Sequence, residues 1–450
     1  MLIKPLDKYV RFMGLFLLLV TITVGGIGCS GKSSSSSVTA CTSNSQCSSG
    51  QVCQSGSCVT STSIPAPPSN LSATAGNRQV FLTWNASTEA TSYNIYDAVT
   101  AGGSYTKVAS ASSTNTTVTG LSNTGLTYYF EVTAVNSAGE SAYSNEVSSV
   151  AYTSSTYVAG NSGSAGIAID SSNNVWIVNS GANAVTELNS DGVIVGTYSV
   201  GLLPQGIAID NAGNVWIVNK NNNSVTKLSS NGITLGTYGV GSGPMGIAID
   251  VSGHVWITNS GGSNTVTELN LTGTTIGTYA VGTQPQYLAI DSSGNVWVAN
   301  YDTNNVTELN LTGTTIGTYS VGAQPSGIAI DGSGNVWIAN WNSSNVTKLS
   351  PTGAHIGTYA TGGAVAGVAI DNSGNIWIAG SNGITELSPA GEIIGSYPVG
   401  GAGGIAIDSS GDVWFANFST ANTVTELCGI STGPQYFPYT GPQFPGGGNW

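Results

Sequence analysis

The chain has 450 residues and a formal net charge of −13, and only 7% of its residues are charged. Nine Lys and Arg residues are too few for the clustered positive charge that a phosphate backbone requires, so nucleic acid is excluded as a partner. The 62 glycines, with abundant Ser, Thr and Asn between regular apolar runs, favour a turn-rich all-β protein of two or more domains.

The N-terminal segment, residues 1–29, has the pattern of an export signal. Lys4, Lys8 and Arg11 precede an apolar run over Phe12–Val24, which is short for a membrane span.

The sequence Gly-Ile-Gly-Cys at residues 26–29 resembles the lipobox of bacterial lipoproteins, in which the cysteine is lipidated. The resemblance implies that Cys29 carries a lipid and that the membrane is a partner through this anchor. Ser30 follows the cysteine, which by the same resemblance favours an outer-membrane or cell-surface location. Ordinary secretion after cleavage nearby is the alternative.

A Ser-rich tether over residues 30–40 leads to a small cysteine module over residues 41–58. The module contains four cysteines, Cys41, Cys47, Cys53 and Cys58. In an exported chain this density predicts two disulfides, with a pairing that the sequence does not decide. Metal binding is the alternative, but no histidine is near and the Cys-x2-Cys spacing of many zinc sites is missing.

Residues 64–152 form a second unit of short strands. Val80–Trp84, Tyr93–Tyr96 and Tyr128–Asn136 are separated by Gly, Ser and Thr turns, which predicts a β-sandwich. Six positions resemble the pattern of fibronectin type III domains: Pro67, Trp84, Tyr93, Leu121, Tyr128 and Asn136. The resemblance implies Trp84 in the core and Tyr128 at the tyrosine corner. No Arg-Gly-Asp tripeptide is present, so a spacer is a simpler hypothesis than an adhesive domain.

A repeat fills the rest of the chain. An apolar run that ends in Asp occurs seven times, at Asp170, Asp210, Asp250, Asp291, Asp331, Asp371 and Asp408. The spacing is 40 or 41 residues, and 37 for the last interval. Each repeat contains four strand-like pieces, which predicts the four-stranded blade of a β-propeller.

The strand count predicts how the ring closes. Seven repeats have a third piece that ends in Leu, but only six have a fourth piece with the Tyr that recurs from repeat to repeat. Ser155–Gly160 precedes the first blade and matches the missing piece. We therefore expect a seven-bladed propeller over residues 155–428, closed by its N-terminal strand, and an extended Gly/Pro-rich tail over residues 429–450.

The motif over Gly327–Asp331 and Gly334–Asn340 resembles the repeats of NHL-type and virginiamycin B lyase-type propellers. The resemblance implies the propeller fold and, for the lyases, a histidine base beside a magnesium ion held near acidic residues. The apolar strand of each repeat contains a tryptophan, for which we predict inter-blade packing, since a blade is covered on both faces.

The sequence gives no positive sign of catalysis. His254 and His355 are the two histidines, and both fall in turns on the side away from the blade-to-blade loops, where we expect solvent-exposed turn residues. Asp291–Asn295, with Asp302 at position twelve, resembles the start of a calcium loop, but a hairpin turn is the simpler hypothesis. We therefore expect no catalytic residue, no metal and no cofactor. Cys428 is left over as a buried thiol or a link to another chain.

The loops that differ between blades are the candidate ligand site. The candidates combine aromatic rings with amides and two charged groups: Tyr301, Asp302, Trp341, Asn342, Tyr287, Gln286 and Lys220. Such residues suit a carbohydrate or a peptide, and drift in unconstrained loops is the alternative.

We therefore expect an exported, lipid-anchored binding or scaffold protein that presents its propeller to a protein or a glycan. The alternatives are a propeller enzyme of the lyase or hydrolase type and a purely structural cell-surface protein.

Overall fold

The structure is a computed structural model that describes residues 40–48, 51–60, 63–121, 126–159, 164–417 and 423–430. The predicted export signal, Cys29, nearly all of the Ser-rich tether and most of the predicted tail lie outside these residues. None of the helical segments within the described ranges has the length and apolar character needed to cross a membrane.

The cysteine module is a hairpin held by two disulfides. It consists of a 3₁₀ turn (Asn44–Gln46) and two antiparallel strands, β1 (Gln51–Gln54) and β2 (Ser57–Thr60). Disulfides join Cys41 to Cys53 and Cys47 to Cys58. The prediction of two disulfides is confirmed, and the structure supplies the pairing.

The second unit is a two-sheet sandwich. Its strands are β3 (Ser69–Gly76), β4 (Gln79–Asn85), β5 (Ser92–Ala98), β6 (Thr106–Ala111), β7 (Asn115–Thr119), β8 (Thr127–Asn136), β9 (Gly139–Glu140) and β10 (Val147–Val150). One sheet has the order β3-β4-β7, and the other has the order β10-β8-β5-β6 with β9 beside β8.

Alternation along the strands builds the core of this sandwich. On β8 every second side chain, from Tyr128 through Phe130 to Val132, points inward and is buried. Trp84 and Tyr93 meet edge to face, with ring centroids 5.3 Å apart. The expected sandwich and the core position of Trp84 are confirmed.

Seven four-stranded antiparallel sheets follow, which we number as blades 1 to 7. The region begins with β11 (Thr153–Val158). Blade 1 comprises β12 (Ser164–Ile169), β13 (Val175–Asn179), β14 (Ala184–Leu188) and β15 (Ile194–Ser199). Blade 2 comprises β16 (Pro204–Ile209), β17 (Val215–Asn219), β18 (Ser224–Leu228) and β19 (Thr234–Gly239). Blade 3 comprises β20 (Pro244–Ile249), β21 (Val255–Asn259), β22 (Thr265–Leu269) and β23 (Thr275–Ala280). Short 3₁₀ turns at Ser180–Ala182 and Lys220–Asn222 join the second and third strands of blades 1 and 2.

The remaining blades repeat this arrangement. Blades 4 to 7 comprise β24 (Pro285–Ile290), β25 (Val296–Asn300), β26 (Asn305–Leu309), β27 (Thr315–Ser320); β28 (Pro325–Ile330), β29 (Val336–Asn340), β30 (Asn345–Leu349), β31 (His355–Ala360); β32 (Val365–Ile370), β33 (Ile376–Gly380), β34 (Gly383–Leu387), β35 (Ile393–Tyr397); and β36 (Ala402–Ile407), β37 (Val413–Asn417), β38 (Thr423–Cys428) with β11.

The blades form a closed ring. The first strands of successive blades contact one another, and β12 of blade 1 contacts both β16 of blade 2 and β36 of blade 7. The fourth strand of blade 7 is β11, which pairs with β38 from Thr153 opposite Cys428 to Val158 opposite Thr423. Closure by the N-terminal strand is therefore confirmed.

Aromatic pairs fill the space between blades. The seven repeat tryptophans have no exposed surface, and each stacks on a tyrosine of its blade's fourth strand at centroid distances of 5.4 to 5.7 Å. The tyrosine in turn lies on a glycine of the next blade, as Tyr279 does on Gly313. The predicted packing role of the tryptophans is confirmed.

The sandwich contacts the propeller at blade 6. Tyr152 and Ala75 belong to the same buried cluster as Tyr397, and the rings of Tyr152 and Tyr397 meet edge to face at 5.3 Å. Asn77 Nδ2 also donates to Ser154 O at 3.3 Å. These contacts fix the sandwich beside the strand that closes the ring.

Candidate ligand-binding face

The propeller has two chemically different faces. We call "loop face" the side formed by the loops that lead into each first strand and by the loops between second and third strands. We call "hairpin face" the opposite side, formed by the turns between first and second strands and between third and fourth strands. Antiparallel pairing places the two loop types together, as Pro325 opposite Asn340 illustrates.

Backbone hydrogen bonds join the two loop types in pairs. Tyr301 N donates to Gln284 O at 3.0 Å, and Trp341 N donates to Gln324 O at 3.0 Å. Asp302 continues the first of these pairs through its amide, which donates to Thr283 O at 3.2 Å. The loops that present the candidate residues are therefore fixed to their neighbours rather than free to rearrange.

Asn342 continues the second pair in the same way, because its amide donates to Ala323 O at 3.2 Å. The side chains of Asp302 and Asn342 are exposed, whereas the rings of Tyr301 and Trp341 are half-buried. In both blades an aromatic ring therefore lies against the protein with an exposed polar side chain next to it.

Repeated asparagines that were not among the predicted site residues hold these loops in place. Asn183, Asn223, Asn264 and Asn304 adopt a left-handed backbone, with φ from 50° to 54°. Each side-chain oxygen accepts a hydrogen bond from the next blade's leading loop, as Asn304 Oδ1 does from Gln324 N at 2.8 Å. Asn tolerates this backbone region better than most residues. The recurrence of Asn at the repeat spacing was the available signal.

Tyr287 occupies the most unusual position on the innermost strands. Its equivalents in the other blades are glycines, such as Gly246 and Gly327. A side chain at Gly246 would clash with Gln286 O, because an added Cβ would lie 2.5 Å from it. Blade 4 is therefore the one blade with an aromatic residue at this position of its first strand. Burial raises the pKa of Tyr287 to about 12. Tyr287 therefore stays neutral at physiological pH.

Tyr287 and Trp341 pack against the same buried part of the fold. Both half-buried rings pack against the same buried cluster, which contains residues of blades 1, 6 and 7 together with Ala75 and Tyr152, although Tyr287 belongs to blade 4 and Trp341 to blade 5. The two aromatic side chains therefore share one apolar neighbourhood, although they come from different blades.

Gln286 lies beside Tyr287 and is half-buried, and its carbonyl accepts a hydrogen bond from Thr258 Oγ1 at 2.6 Å. Lys220 is half-buried at the start of a loop in blade 2, two blades away, and no contact joins it to the aromatic residues. Lys220 and Asp302 are the charged side chains in the described loops of this face. The rest of the described surface consists of amides, hydroxyls, rings, glycines and a few aliphatic side chains such as Leu202, which is 51% exposed.

The hairpin face carries buried charge instead. In every blade the Asp that ends the first strand accepts backbone amides of its turn and the indole N–H of the blade's tryptophan, at 3.0 to 3.2 Å. In blade 4, Asp291 Oδ1 accepts Ser293 N and Asn295 N at 2.8 Å. Asp302 lies on the opposite face of the same blade. The hairpin-turn hypothesis is therefore right for Asp291, and the two carboxylates do not share a cation site.

A second charged residue faces each tryptophan from the third strand. In five blades it is a glutamate that accepts the hydroxyl of the stacked tyrosine, as Glu386 does from Tyr397 at 2.9 Å. Burial, and then the neighbouring Asp371, raise the pKa of Glu386 to about 7. In each of these blades the glutamate and the Asp that ends the first strand form a pair of carboxylates between packed rings. The two carboxylates repel each other when both are ionised, and this repulsion is removed when one of them is protonated.

Two blades carry a lysine at this position. Lys227 Nζ lies 3.3 Å from Asp210 Oδ2 and 4.5 Å from the centre of the Trp216 ring. Burial raises the pKa of Asp210, but hydrogen bonds from Trp216 and Asn214 and the charge of Lys227 outweigh it, so the pKa is lowered overall. Lys348 is arranged in the same way in blade 5.

His254 differs from its expected environment. It was predicted to be a solvent-exposed turn residue, but it is half-buried, and its Nδ1 lies 2.8 Å from Glu268 Oε1 and 3.5 Å from Asp250 Oδ2. Asn375 fills the equivalent place in blade 6 and donates to Glu386 Oε1 at 3.0 Å. His254 therefore replaces an amide that joins two carboxylates of the blade.

His355 is exposed, as predicted, and its Nε2 lies 2.9 Å from Thr358 Oγ1 on the same strand. Both histidines belong to the hairpin face.

A histidine base beside a magnesium ion does not fit the residues present. The described loop face offers one carboxylate, Asp302, and no histidine. Beside His254, the carboxylate of Asp250 already accepts hydrogen bonds from the Trp256 indole and from turn amides, and the carboxylate of Glu268 accepts one from the Tyr279 hydroxyl.

Cys428 lies in a separate acidic cluster at the edge of blade 7. Its thiol and the carboxylates of Asp412 and Glu426 lie within 4.8 Å of one another. Burial, and then the charges of Glu426 and Asp412, raise the pKa of Cys428 to about 12. The free, half-buried thiol therefore remains protonated, unlike a catalytic nucleophile.

Two family models match the chain. The model described as "Virginiamycin B lyase family" matches residues 149–427, and the model described as "Fibronectin type III domain" matches residues 66–150. The two matches agree with the propeller and the sandwich seen in the structure.

Solved propellers have the same fold as the C-terminal region. The structure titled "Streptogramin B lyase structure" has a TM-score of 0.57 at 21% identity and covers 61% of this chain and 97% of its own. A catalytically inactive histidine-to-alanine variant of virginiamycin B lyase from Staphylococcus aureus with quinupristin has a TM-score of 0.55 at 19% identity, covering 62% and 99%. At these identities the likeness establishes the fold alone.

Among curated proteins, the amylopullulanase of Thermoanaerobacter thermohydrosulfuricus is 47% identical over 85 residues. The match covers 18% of this chain and 6% of the enzyme, so the chain spans only a small part of the length of that relative.

Proposed function

Because this chain belongs to the virginiamycin B lyase family, we propose that it uses the family's propeller for binding, with its loop face as the contact surface for a glycan or a protein. The observation that carries this proposal is the set of aromatic residues on this face: Tyr287 and Trp341 pack against one buried cluster, and Tyr301 lies in a neighbouring loop. Neutral rings beside exposed amides suit a ligand that offers apolar ring faces and hydroxyl or amide groups.

The rigidity of the loop face supports a binding role. Left-handed asparagines and paired backbone bonds hold the loops before any ligand arrives. A preorganised surface loses little conformational entropy on binding. The near absence of charge favours a neutral oligosaccharide over a strongly charged ligand.

The positions of the histidines argue against the lyase alternative. A general base must lie within reach of its substrate in a shaped site. His254 is engaged with Glu268 on the hairpin face, and His355 is exposed on an outer strand. A lyase-like enzyme would need a different base.

A structural surface role is a second candidate, because the described loop face carries only two charged side chains, Lys220 and Asp302. It predicts that the protein remains surface-associated but has no ligand that depends on Trp341.

The deciding experiment is a glycan and peptide array probed with the exported protein. Binding to a ligand found on the array should weaken in Trp341→Ala and in Tyr301→Ala. Ile356→Ala, an exposed outer-strand residue, is the matched control and should bind as the parent protein does. Equal binding by all four proteins would remove the loop face from consideration.

Export and anchoring are a separate part of the proposal. The match to the fibronectin type III model and the partial likeness to amylopullulanases support an extracellular protein, and the sequence pattern around Cys29 supports a lipid anchor. Metabolic labelling with a fatty acid should mark the parent protein and not Cys29→Ser. Label on both proteins would refute the anchor at this position and leave the ligand hypothesis unaffected.

A further inference from the structure

Three tyrosines form an exposed aromatic cluster on the fibronectin domain. Tyr96 and Tyr143 meet edge to face with centroids 5.2 Å apart, and Tyr105 lies 6.0 Å from Tyr143. Tyr143 is 45% exposed, and the other two rings are half-buried. We call these three residues the tyrosine patch. It lies on the outer side of the β10-β8-β5-β6 sheet, so the sandwich core does not require it.

Two carboxylates hold the rings of the patch. Tyr96 OH donates to Glu140 Oε1 at 2.7 Å, and Tyr105 OH donates to Glu146 Oε2. Glu140 Oε1 also accepts Asn94 Nδ2 at 2.9 Å. Tyr96 and Tyr105 are therefore fixed with their hydroxyls directed at carboxylates, and Tyr143 packs against both of these rings.

Both carboxylates stay ionised at neutral pH. Hydrogen bonds from Thr133, Asn94 and Tyr96 lower the pKa of Glu140. The bond from Tyr105, followed by the amide of Gly102, lowers the pKa of Glu146. The patch is consequently rimmed by two negative charges.

The surrounding charges leave this rim unbalanced. Glu131 lies opposite Tyr96 on β8, on the same side of the sheet. Lys107, opposite Tyr96 on β6, is the one basic residue on this face of the domain. The face therefore has an excess of acidic groups around exposed rings.

Electron-rich rings beside carboxylates attract cations. The face of a tyrosine ring carries a negative quadrupole, and a lysine or arginine within about 6 Å of its centre is attracted to it. A phenol that donates to a carboxylate has more electron density on its ring, which strengthens this attraction. We propose that the tyrosine patch binds lysine or arginine side chains of a partner protein.

A neutral sugar fits the patch less well. The rings of Tyr96 and Tyr143 are nearly perpendicular, at 88°, so they do not form a flat platform for a pyranose. The hydroxyls of Tyr96 and Tyr105 and the carboxylates that hold them are already engaged with one another. Charge complementarity therefore selects a cationic partner, and the patch is independent of the propeller's loop face.

The test measures binding of a short labelled peptide with arginines separated by Gly-Ser, against the same peptide with glutamine in place of arginine, by fluorescence anisotropy. The arginine peptide should bind and the glutamine peptide should not. Tyr143→Ala should weaken binding by about threefold to tenfold, the loss of one cation–π contact. Glu146→Gln, which still accepts the Tyr105 hydroxyl, should weaken binding and flatten its salt dependence.

Two matched variants control for non-specific effects. Phe81→Ala removes an exposed ring from the other sheet, and Asp191→Asn removes one exposed negative charge from the propeller. Both should bind like the parent protein. Circular dichroism should confirm that every variant is folded.

Several results would overturn the proposal. Unchanged affinity in Tyr143→Ala and Glu146→Gln would do so, as would equal binding of the glutamine peptide. An equal loss in Asp191→Asn would assign binding to overall charge. Tyr143-dependent binding of maltohexaose without binding of the arginine peptide would make the patch a sugar site instead.

Discussion

The indole nitrogen of Trp337 donates a hydrogen bond of 3.0 Å to Oδ2 of Asp331, where the first hairpin of blade 5 turns. The bond recurs in all seven blades. It ties the carboxylate that closes a turn to the ring that fills the space between blades. Turn formation and inter-blade packing are therefore coupled through one side chain.

Loss of this carboxylate should destabilise the propeller. Asp331→Ala leaves the buried N–H of Trp337 without an acceptor and removes the partner of two turn amides, those of Ser333 and Asn335. An orphaned buried donor costs about 1–3 kcal/mol. We expect a lower melting temperature by calorimetry.

Asp191→Ala, in an exposed turn of blade 1, is the control for Asp331→Ala and should melt close to the parent protein. If both variants melt alike, the bond between Trp337 and Asp331 does not contribute measurably to stability.

The buried glutamates should make stability depend on pH. Burial raises the pKa of Glu386 to about 7, so the folded protein retains a proton that the unfolded chain releases at lower pH. The free energy of unfolding should therefore fall as pH rises from about 5 to about 8, by on the order of 2–3 kcal/mol for this residue. Urea unfolding at both pH values measures the difference.

Glu386→Gln should reduce that pH dependence, because it removes the titrating group while an amide oxygen can still accept the Tyr397 hydroxyl. Glu392→Gln, an exposed residue of the next turn, should leave it unchanged. A parent protein that gains stability between these pH values would contradict the raised pKa.

Gly313 should not tolerate a side chain. Its φ is +74°, and an added Cβ would lie 1.9 Å from Tyr279 Cε1. Gly313→Ala combines an unfavourable backbone with overpacking, each of which costs about 1–3 kcal/mol. Denaturant unfolding should reveal a clear loss of stability.

Gly239→Ala places its Cβ in open space at an ordinary φ, so it tests the effect of adding a methyl group alone. It should be neutral or slightly stabilising. A neutral Gly313→Ala would show that Tyr279 can move away from its stacking position on Trp256.

Placing an amide at position 412, as blade 6 has at Asn375, should stabilise blade 7. Asp412 stands where Asn375 donates to Glu386 in blade 6, and it faces Asp408 and Glu426 instead. Asp412→Asn removes one like charge and supplies a donor, so we expect a gain of about 1 kcal/mol. A rise in melting temperature checks this, and a fall would show that Asp412 has a role that an amide cannot fill.

The same substitution should change the reactivity of Cys428. The charge of Asp412 contributes to the raised pKa of the thiol, so the thiolate should form at lower pH in Asp412→Asn. The pH profile of alkylation by iodoacetamide measures this shift. Asp191→Asn is the control and should leave the profile in place.

Periodicity in the sequence was sufficient to predict the blades and their closure. The spacing of the Asp residues and the unmatched Ser155–Gly160 segment identified seven blades and the strand that completes the last. Such features are local to one repeat or can be counted along the chain, and strand pairing within a blade follows from them directly.

Features that depend on how blades meet were not predictable in the same way. The pairing of His254 with Glu268 joins a turn to a third strand, and Tyr287 contacts blades that are distant in sequence. The disulfide pairing was open because three connectivities were compatible with the spacing. In each case the contact depends on three-dimensional placement that the repeat pattern does not encode.

The closing strand also determines how the molecule responds to tension. β11 follows the fibronectin domain directly, and Tyr152 between them packs on Tyr397. A pull between the N-terminal region and a ligand held by the propeller therefore passes into the pairing of β11 with β38. A force along the strand strains its six cross-strand pairs together, as shear, instead of opening them one after another. The joint that completes the ring is thus also the joint that resists mechanical extraction of the propeller.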